Sequence, residues 1–139
     1  MNKTRWIAAS LAVFAAAMSL ETLFNAYCLK AAYLETASLW RPHGEMMQLM
    51  PIYWVAAFIA SFIFVYLYAK GCEGKPSGCL EGLRFGLYIG LFMNLTMSTI
   101  TYATMPITAR LAADWFITGM VEYLICGAFA GVIYRKPAA

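Results

Sequence analysis

Four apolar stretches, each long enough to cross a lipid bilayer, constrain this chain more than any other feature. A transmembrane helix needs about 20 mainly apolar residues to pass a hydrocarbon core of about 30 Å. The stretches run roughly Trp6–Leu29, Met50–Ala69, Leu83–Tyr102 and Leu111–Tyr134. Together they fill most of a 139-residue chain in which 63% of residues are hydrophobic and 12% charged. Soluble domains carry about 25% charged residues, so too little polar surface is present here to cover a core in water. The fold class expected is all-α, a bundle of four transmembrane helices forming one integral membrane domain over residues 1–139.

The ends and links of these stretches agree with that reading. Trp6, Tyr53, Trp54, Tyr66, Tyr68, Tyr102, Trp115 and Tyr134 stand near span ends, where aromatic residues favour the headgroup level. Ala31–Gln48 reads as a long first loop, with Pro42 stopping any extension of the first helix. Gly71, Gly74, Pro76 and Gly78 mark a tight second turn, and Pro106 a third, close to the start of the last helix.

Lysine and arginine set the orientation. With the N-terminus in the cytoplasm, that side holds Lys3, Arg5, Lys70, Lys75, Arg84, Arg135 and Lys136, and the other side Lys30, Arg41 and Arg110. Seven against three places both ends in the cytoplasm. Lys3, Arg5 and Ala15-Ala16-Ala17 also resemble a secretory signal, but apolar residues continue through Leu20, Leu23 and Phe24, and the segment reads as a retained span.

Small residues recur every fourth position: Gly82, Gly86, Gly90, Asn94 and Ser98 in the third span, and Gly119, Tyr123, Gly127 and Gly131 in the fourth. Such rows lie on one helix face. In lipid, where apolar contact gives no hydrophobic driving force, they let backbones approach. The third and fourth helices are therefore expected to pack on these glycines. Ala17, Glu21 and Asn25 share the spacing in the first span, as do Ala57 and Ser61 in the second. Asn25 precedes Tyr33 by eight residues, as Asn94 precedes Tyr102, and Tyr68-Ala69-Lys70 ends the second span much as Tyr134-Arg135-Lys136 ends the fourth. These pairs support two repeated helical hairpins.

Two carboxylates fall inside spans, Glu21 and Glu122. An ionisable group deep in a bilayer is costly unless paired, hydrated or neutralised. Both are expected to face the interior, with Asn25, Asn94, Thr96, Ser98, Thr99 and Thr118 as hydrogen-bond partners. Glu21, Asn25, Asn94 and Glu122 are thus the candidates for ligand or proton binding. Glu81 and Arg84 suit an i,i+3 pair, and Asp114 suits the first turn of the last helix.

No reaction centre emerges. Cys72 and Cys79 are separated by six residues, which is not a zinc spacing, and no histidine stands with them. Cys28 and Cys126 read as packing residues. His43 is the single histidine, placed in the outer loop. No metal, cofactor or catalytic residue is expected, and no basic run suits nucleic acid. The expected partners are the bilayer and either further copies of the chain or a larger membrane complex.

The run Tyr33-Leu34-Glu35-Thr36-Ala37-Ser38-Leu39-Trp40-Arg41-Pro42, with Tyr102-Ala103-Thr104-Met105-Pro106-Ile107 and Tyr134-Arg135-Lys136-Pro137, resembles an uncharacterised group of small bacterial four-helix integral membrane proteins. That resemblance implies the fold and a place in the bacterial inner membrane, without an activity. Glu21, followed by Leu29-Lys30, is similar to the small multidrug resistance transporters, whose first-helix glutamate exchanges protons for cationic drugs. This chain departs from them in its greater length, its long outer loop and its second buried acid. The function these readings support is a non-enzymatic ligand-binding or accessory membrane protein. The alternative is a proton-coupled small-molecule transporter using Glu21 and Glu122.

Overall fold

The computed structural model describes residues 2–73 and 77–135 and is all-α. Four long helices carry the fold: α1 (Lys3–Leu23), α3 (His43–Gly71), α4 (Gly78–Thr104) and α5 (Ala109–Ile133). A short helix, α2 (Lys30–Glu35), and a 3-10 turn (Ala37–Leu39) lie between α1 and α3. Lys75 and Lys136 of the orientation argument, and Gly74 and Pro76 of the second turn, lie outside the described residues.

Three helical segments are long and apolar enough to span a membrane: Lys3–Cys28, His43–Gly71 and Ala109–Ile133. The third expected span corresponds to α4, which at 27 residues is long enough to cross a membrane but lacks a sufficiently apolar stretch to count with the other three. Its glycines, Glu81, Arg84, Asn94 and the hydroxyl run Thr96 to Thr104 account for the difference.

Local chemistry sets the boundaries. Asn2, Ser77 and Thr108 cap α1, α4 and α5 by accepting from the backbone N–H three residues on, at 3.1, 3.3 and 3.2 Å. The first loop is shorter than the sequence suggests. Pro42 sits at the N-cap of α3, and its carbonyl accepts from Glu45 and Met46 N–H at 3.0 and 3.1 Å. α3 therefore starts at His43 rather than near Met50, and at 29 residues it runs for about 44 Å. α5 likewise starts at Ala109, which moves Asp114 out of the first turn; it pairs with Arg110 at 3.8 Å instead.

α1 does not end in a regular turn. Phe24–Cys28 widens into one turn of π-helix, closed by Leu29 N–H donating to the Phe24 carbonyl at 2.8 Å. Such widened turns often mark functional positions. Cys28, expected as a packing residue, is exposed on this turn.

The helices run up and down. α5 packs most extensively on α4, and α1 packs on both α3 and α5, whereas α3 touches α5 only narrowly. The α4/α5 seam is built on glycine. A methyl group added at Gly82 would meet the Gly127 carbonyl, and one at Gly131 the Gly78 carbonyl. At Gly86 it would strike the Tyr123 backbone, and at Gly90 the Met120 and Tyr123 side chains. Only residues without a Cβ allow this approach.

The larger core lies toward the end that holds both described termini, called here the near end, and a smaller one, of Leu29, Ala32, Ile107 and Leu111, lies at the far end. Val13, Phe64, Val65, Tyr68, Cys126, Ala130 and Tyr134 are buried in the larger one. Phe85 stacks edge-on against Phe64 and Tyr68, with ring centroids 5.0 and 5.5 Å apart. Tyr68 and Tyr134, expected in a headgroup belt, are thus core residues. Glu81 is only 7% exposed and accepts from the Glu73 backbone N–H. Arg84 pairs with Glu73 at 2.9 Å, so the expected Glu81–Arg84 pair is not formed. The physical reason is that Glu81 faces the incoming chain at the helix start while Arg84 points outward.

The outer surface is apolar. Ile52, Val55, Ile59 and Ile63 on α3, and Tyr88, Phe92 and Leu95 on α4, all project away from the bundle. Span hydroxyls are tied to their own helices: Thr99 donates to the Leu95 carbonyl at 2.6 Å and Thr101 to that of Met97 at 2.7 Å. Back-bonding of this kind lets a hydroxyl face hydrocarbon without an unmet donor.

Candidate functional site

At the far end, where α1 passes into α2 and α4 into α5, the packing opens. A cavity of about 330 Å³ lies between α1, α4 and α5, and all four in-span candidates line it: Glu21, Asn25, Asn94 and Glu122. Each arrives by a different local route. Glu21 stands on the last regular turn of α1, and the π turn carries Asn25, whose Nδ2 donates to the Glu21 carbonyl at 2.8 Å. Asn94 continues the glycine row of α4, and Glu122 lies near the middle of α5.

A second cavity, of about 470 Å³, lies beside the first, between α3 and the other long helices. Its walls are almost wholly apolar, including Val13, Ala57, Ala60, Phe64, Leu67 and Ile89. Glu122 lines both cavities. Tyr53 lines the second and donates its hydroxyl to the Glu21 carboxylate, which lines the first. Glu122 therefore stands where the spaces meet, whereas Glu21 lines only the smaller one, and the two acids differ in partners as well. Glu21 has a donor, whereas the Glu122 carboxylate makes no hydrogen bond or ion pair among the described residues.

Asn94 is set apart from most other polar residues of the spans. Ser10, Ser61, Thr99 and Thr118 all donate to their own helix backbone, as Asn25 does. The Asn94 amide instead lies over Gly119, where any Cβ would collide with it. Its Nδ2 is the one buried side-chain polar atom without a partner among the described residues. An unmet buried donor costs about 1–3 kcal/mol. Such a group points to strain or function.

Tyr33 and Trp115 form an aromatic part of the smaller cavity's wall and pack, with Trp40, against the far-end core. Trp115 Nε1 donates to the Tyr33 hydroxyl at 3.0 Å, and Trp40 Nε1 to Thr36 Oγ1 at 3.0 Å. Trp40 stacks edge-on against Tyr33 and Trp115 at centroid distances of 5.3 and 6.1 Å. Burial raises the Tyr33 phenol above its ordinary pKa, so it stays protonated at neutral pH. Its proton remains available to donate while its oxygen accepts from Trp115.

Several expected partners of the acids do other work. Thr96, Thr99 and Thr118 hydrogen-bond to the carbonyls of Phe92, Leu95 and Asp114, and Ser98 and Thr118 line the cavity wall. Tyr53, Tyr33 and Trp115 are the site residues that sequence reasoning missed, because each reads as a belt or loop aromatic. His43 begins α3, and all four cysteines are free thiols. No group of three metal-ligating side chains occurs among the described residues.

Comparison with protein-family models, with curated proteins and with solved structures gives no match. The class supported is that of a small all-α protein with three candidate membrane spans. Any more particular reading rests on the geometry above.

Proposed function

We propose that the chain is a four-span membrane protein, both ends cytoplasmic, which binds a small amphipathic ligand in its far-end cavity. α4 is the fourth span. Its glycine face is covered by α5, its threonine hydroxyls are bonded internally, and many of its outward residues are apolar. The observation that carries the proposal is the convergence of four in-span polar residues on one cavity whose Glu122 also lines an apolar one. Small-molecule sites have this character, being mostly apolar with a few convergent polar groups. Packing alone is a weak reason to keep acids there, because interhelical hydrogen bonds in membranes average about 0.6 kcal/mol.

Fluorescence tests it. Trp115 lines the cavity, so bromooctanol added to the protein in uncharged micelles should quench Trp115 saturably. The Trp115→Phe variant isolates that component. Quenching that rises linearly, without saturation, would sink the proposal. Reporters fused after Ala139 and within residues 41–45 should read opposite sides of the membrane.

The position of Glu122 on both cavities favours one second reading, proton-coupled transport of the same ligand. Liposomes holding an internal pH dye would then show amphiphile-driven proton movement, lost in Glu21→Gln and Glu122→Gln. Variants indistinguishable from the parent would eliminate it. Co-purification with a larger assembly in mild detergent would instead support an accessory role.

A further inference from the structure

We propose that the ligand is an organic cation with an apolar tail, and that Glu122, rather than Glu21, is its counter-ion. The proposal rests on the cavity reading above and names the chemistry that would fill it.

Charge comes first. Two carboxylates line the smaller cavity, yet neither cavity has a lysine, arginine or histidine in its wall. The nearest basic side chain of α5, Arg110, is engaged with Glu35 at 3.7 Å and Asp114 at 3.8 Å. An acid in such surroundings calls for a proton or a cation.

Partnership then separates the two acids. Tyr53 donates to Glu21 and ties α1 to α3. Glu122 has no such donor, and it stands where the polar and apolar spaces join. A cationic head beside Glu122 leaves its tail free to lie against Ala56, Ala60 and Leu67 in the larger cavity. Tyr33 and Trp115 line the smaller cavity too, and aromatic rings there suit a cationic head. Asn94 lines the same cavity and adds a polar group to its wall; its unmet Nδ2, a donor, is not a contact for the cation itself. The assignment falls on the last helix and not on the first-helix glutamate.

A matched set of probes tests this. Octyltrimethylammonium, octyl sulfate and octanol share a tail and differ in head charge. Calorimetric titration into the full-length protein in uncharged micelles should show the ammonium binding at least about tenfold more tightly than the sulfate. Glu122→Gln should lower ammonium affinity by about tenfold or more and leave octanol affinity unchanged, which also reports an intact fold. Glu21→Gln should lower ammonium affinity by no more than about threefold. Equal binding of ammonium and sulfate, or a larger loss in Glu21→Gln than in Glu122→Gln, overturns the assignment. Octanol binding that survives those results leaves the cavity reading standing; absence of binding by all three probes removes both.

Discussion

The near and far halves of the bundle solve the problem of packing helices in lipid in opposite ways. In the near half, backbones touch. Gly78, Gly82 and Gly86 of α4 meet Gly131, Gly127 and Tyr123 of α5, and Phe85 bridges to Phe64 and Tyr68 on α3. In the far half a small core of Leu29, Ala32, Ile107 and Leu111 closes the end, and next to it the cavity between α1, α4 and α5 holds two carboxylates, two asparagines and the rings of Tyr33 and Trp115. The difference lies in what fills the fourth-residue rows. Glycine lets backbone meet backbone, whereas Asn94, continuing the same row, sets a polar side chain against Gly119 at the edge of a cavity. A rigid half thus supports a half with unmet polar groups, the arrangement a binding site needs.

The largest expected effect comes from breaking the closed half. Gly82→Val places a branched side chain against the Gly127 backbone. Backbone cannot yield as a flexible side chain can, so the cost should be about 3 kcal/mol or more. Thermal melting in micelles should show a collapsed transition or none. Gly44→Ala is the control, since nothing lies within 4 Å of a methyl there. It should be neutral or stabilising by up to about 1 kcal/mol, glycine being a poor helix former. Equal behaviour of the two variants would show that the seam does not hold the bundle.

That closed half was the more legible one in the sequence. A fourth-residue glycine row is a one-dimensional pattern, and a helix turns it directly into a face. The all-α class and the long apolar segments were legible for the same reason, because bilayer thickness fixes a length that can be counted. The four polar residues of the cavity stood out because such groups are rare in spans. Their partners did not. Tyr53 meets Glu21 across 32 positions and Trp115 meets Tyr33 across 82, pairings that arise only from tertiary packing. An aromatic near a helix end reads equally as a headgroup anchor or a core residue, so the sequence does not separate the buried Tyr68 and Tyr134 from the belt. Pro42 reads equally as the end of one helix or the N-cap of the next, which hides a start of α3 seven residues before Met50.

A smaller effect, opposite in sign, sharpens the contrast. Asn94→Leu removes the one unpartnered buried donor among the described residues while keeping a similar size. Relief of that group should raise stability by about 1 kcal/mol. Octyltrimethylammonium affinity should fall in the same variant, so that stability and binding move apart. Gly119→Ala should also weaken binding, by pushing on the Asn94 amide. Because it meets the end of a side chain and not backbone, it should cost less stability than Gly82→Val. A loss of stability in Asn94→Leu would mean that the amide is satisfied and that the far half is packed like the near one.

The smallest expected effect concerns the single polar tie between Tyr53 and Glu21. Deleting the phenol hydroxyl in Tyr53→Phe should cost only about 0.6 kcal/mol, the usual scale for a hydrogen bond between membrane helices. The melting point should barely shift, because α1 and α3 remain joined by Trp6 Nε1 donating to the Phe62 carbonyl at 3.2 Å and by the Phe14–Phe58 contact at 5.4 Å. Function should respond more. With its donor gone, Glu21 becomes as unpaired as Glu122, and the two acids should compete for one cation. Glu122→Gln should then lower octyltrimethylammonium affinity less in the Tyr53→Phe background than in the parent, a non-additivity that a double-mutant cycle measures directly. Strict additivity would mean that Tyr53 does not set the difference between the acids, leaving their unequal positions on the two cavities as its source.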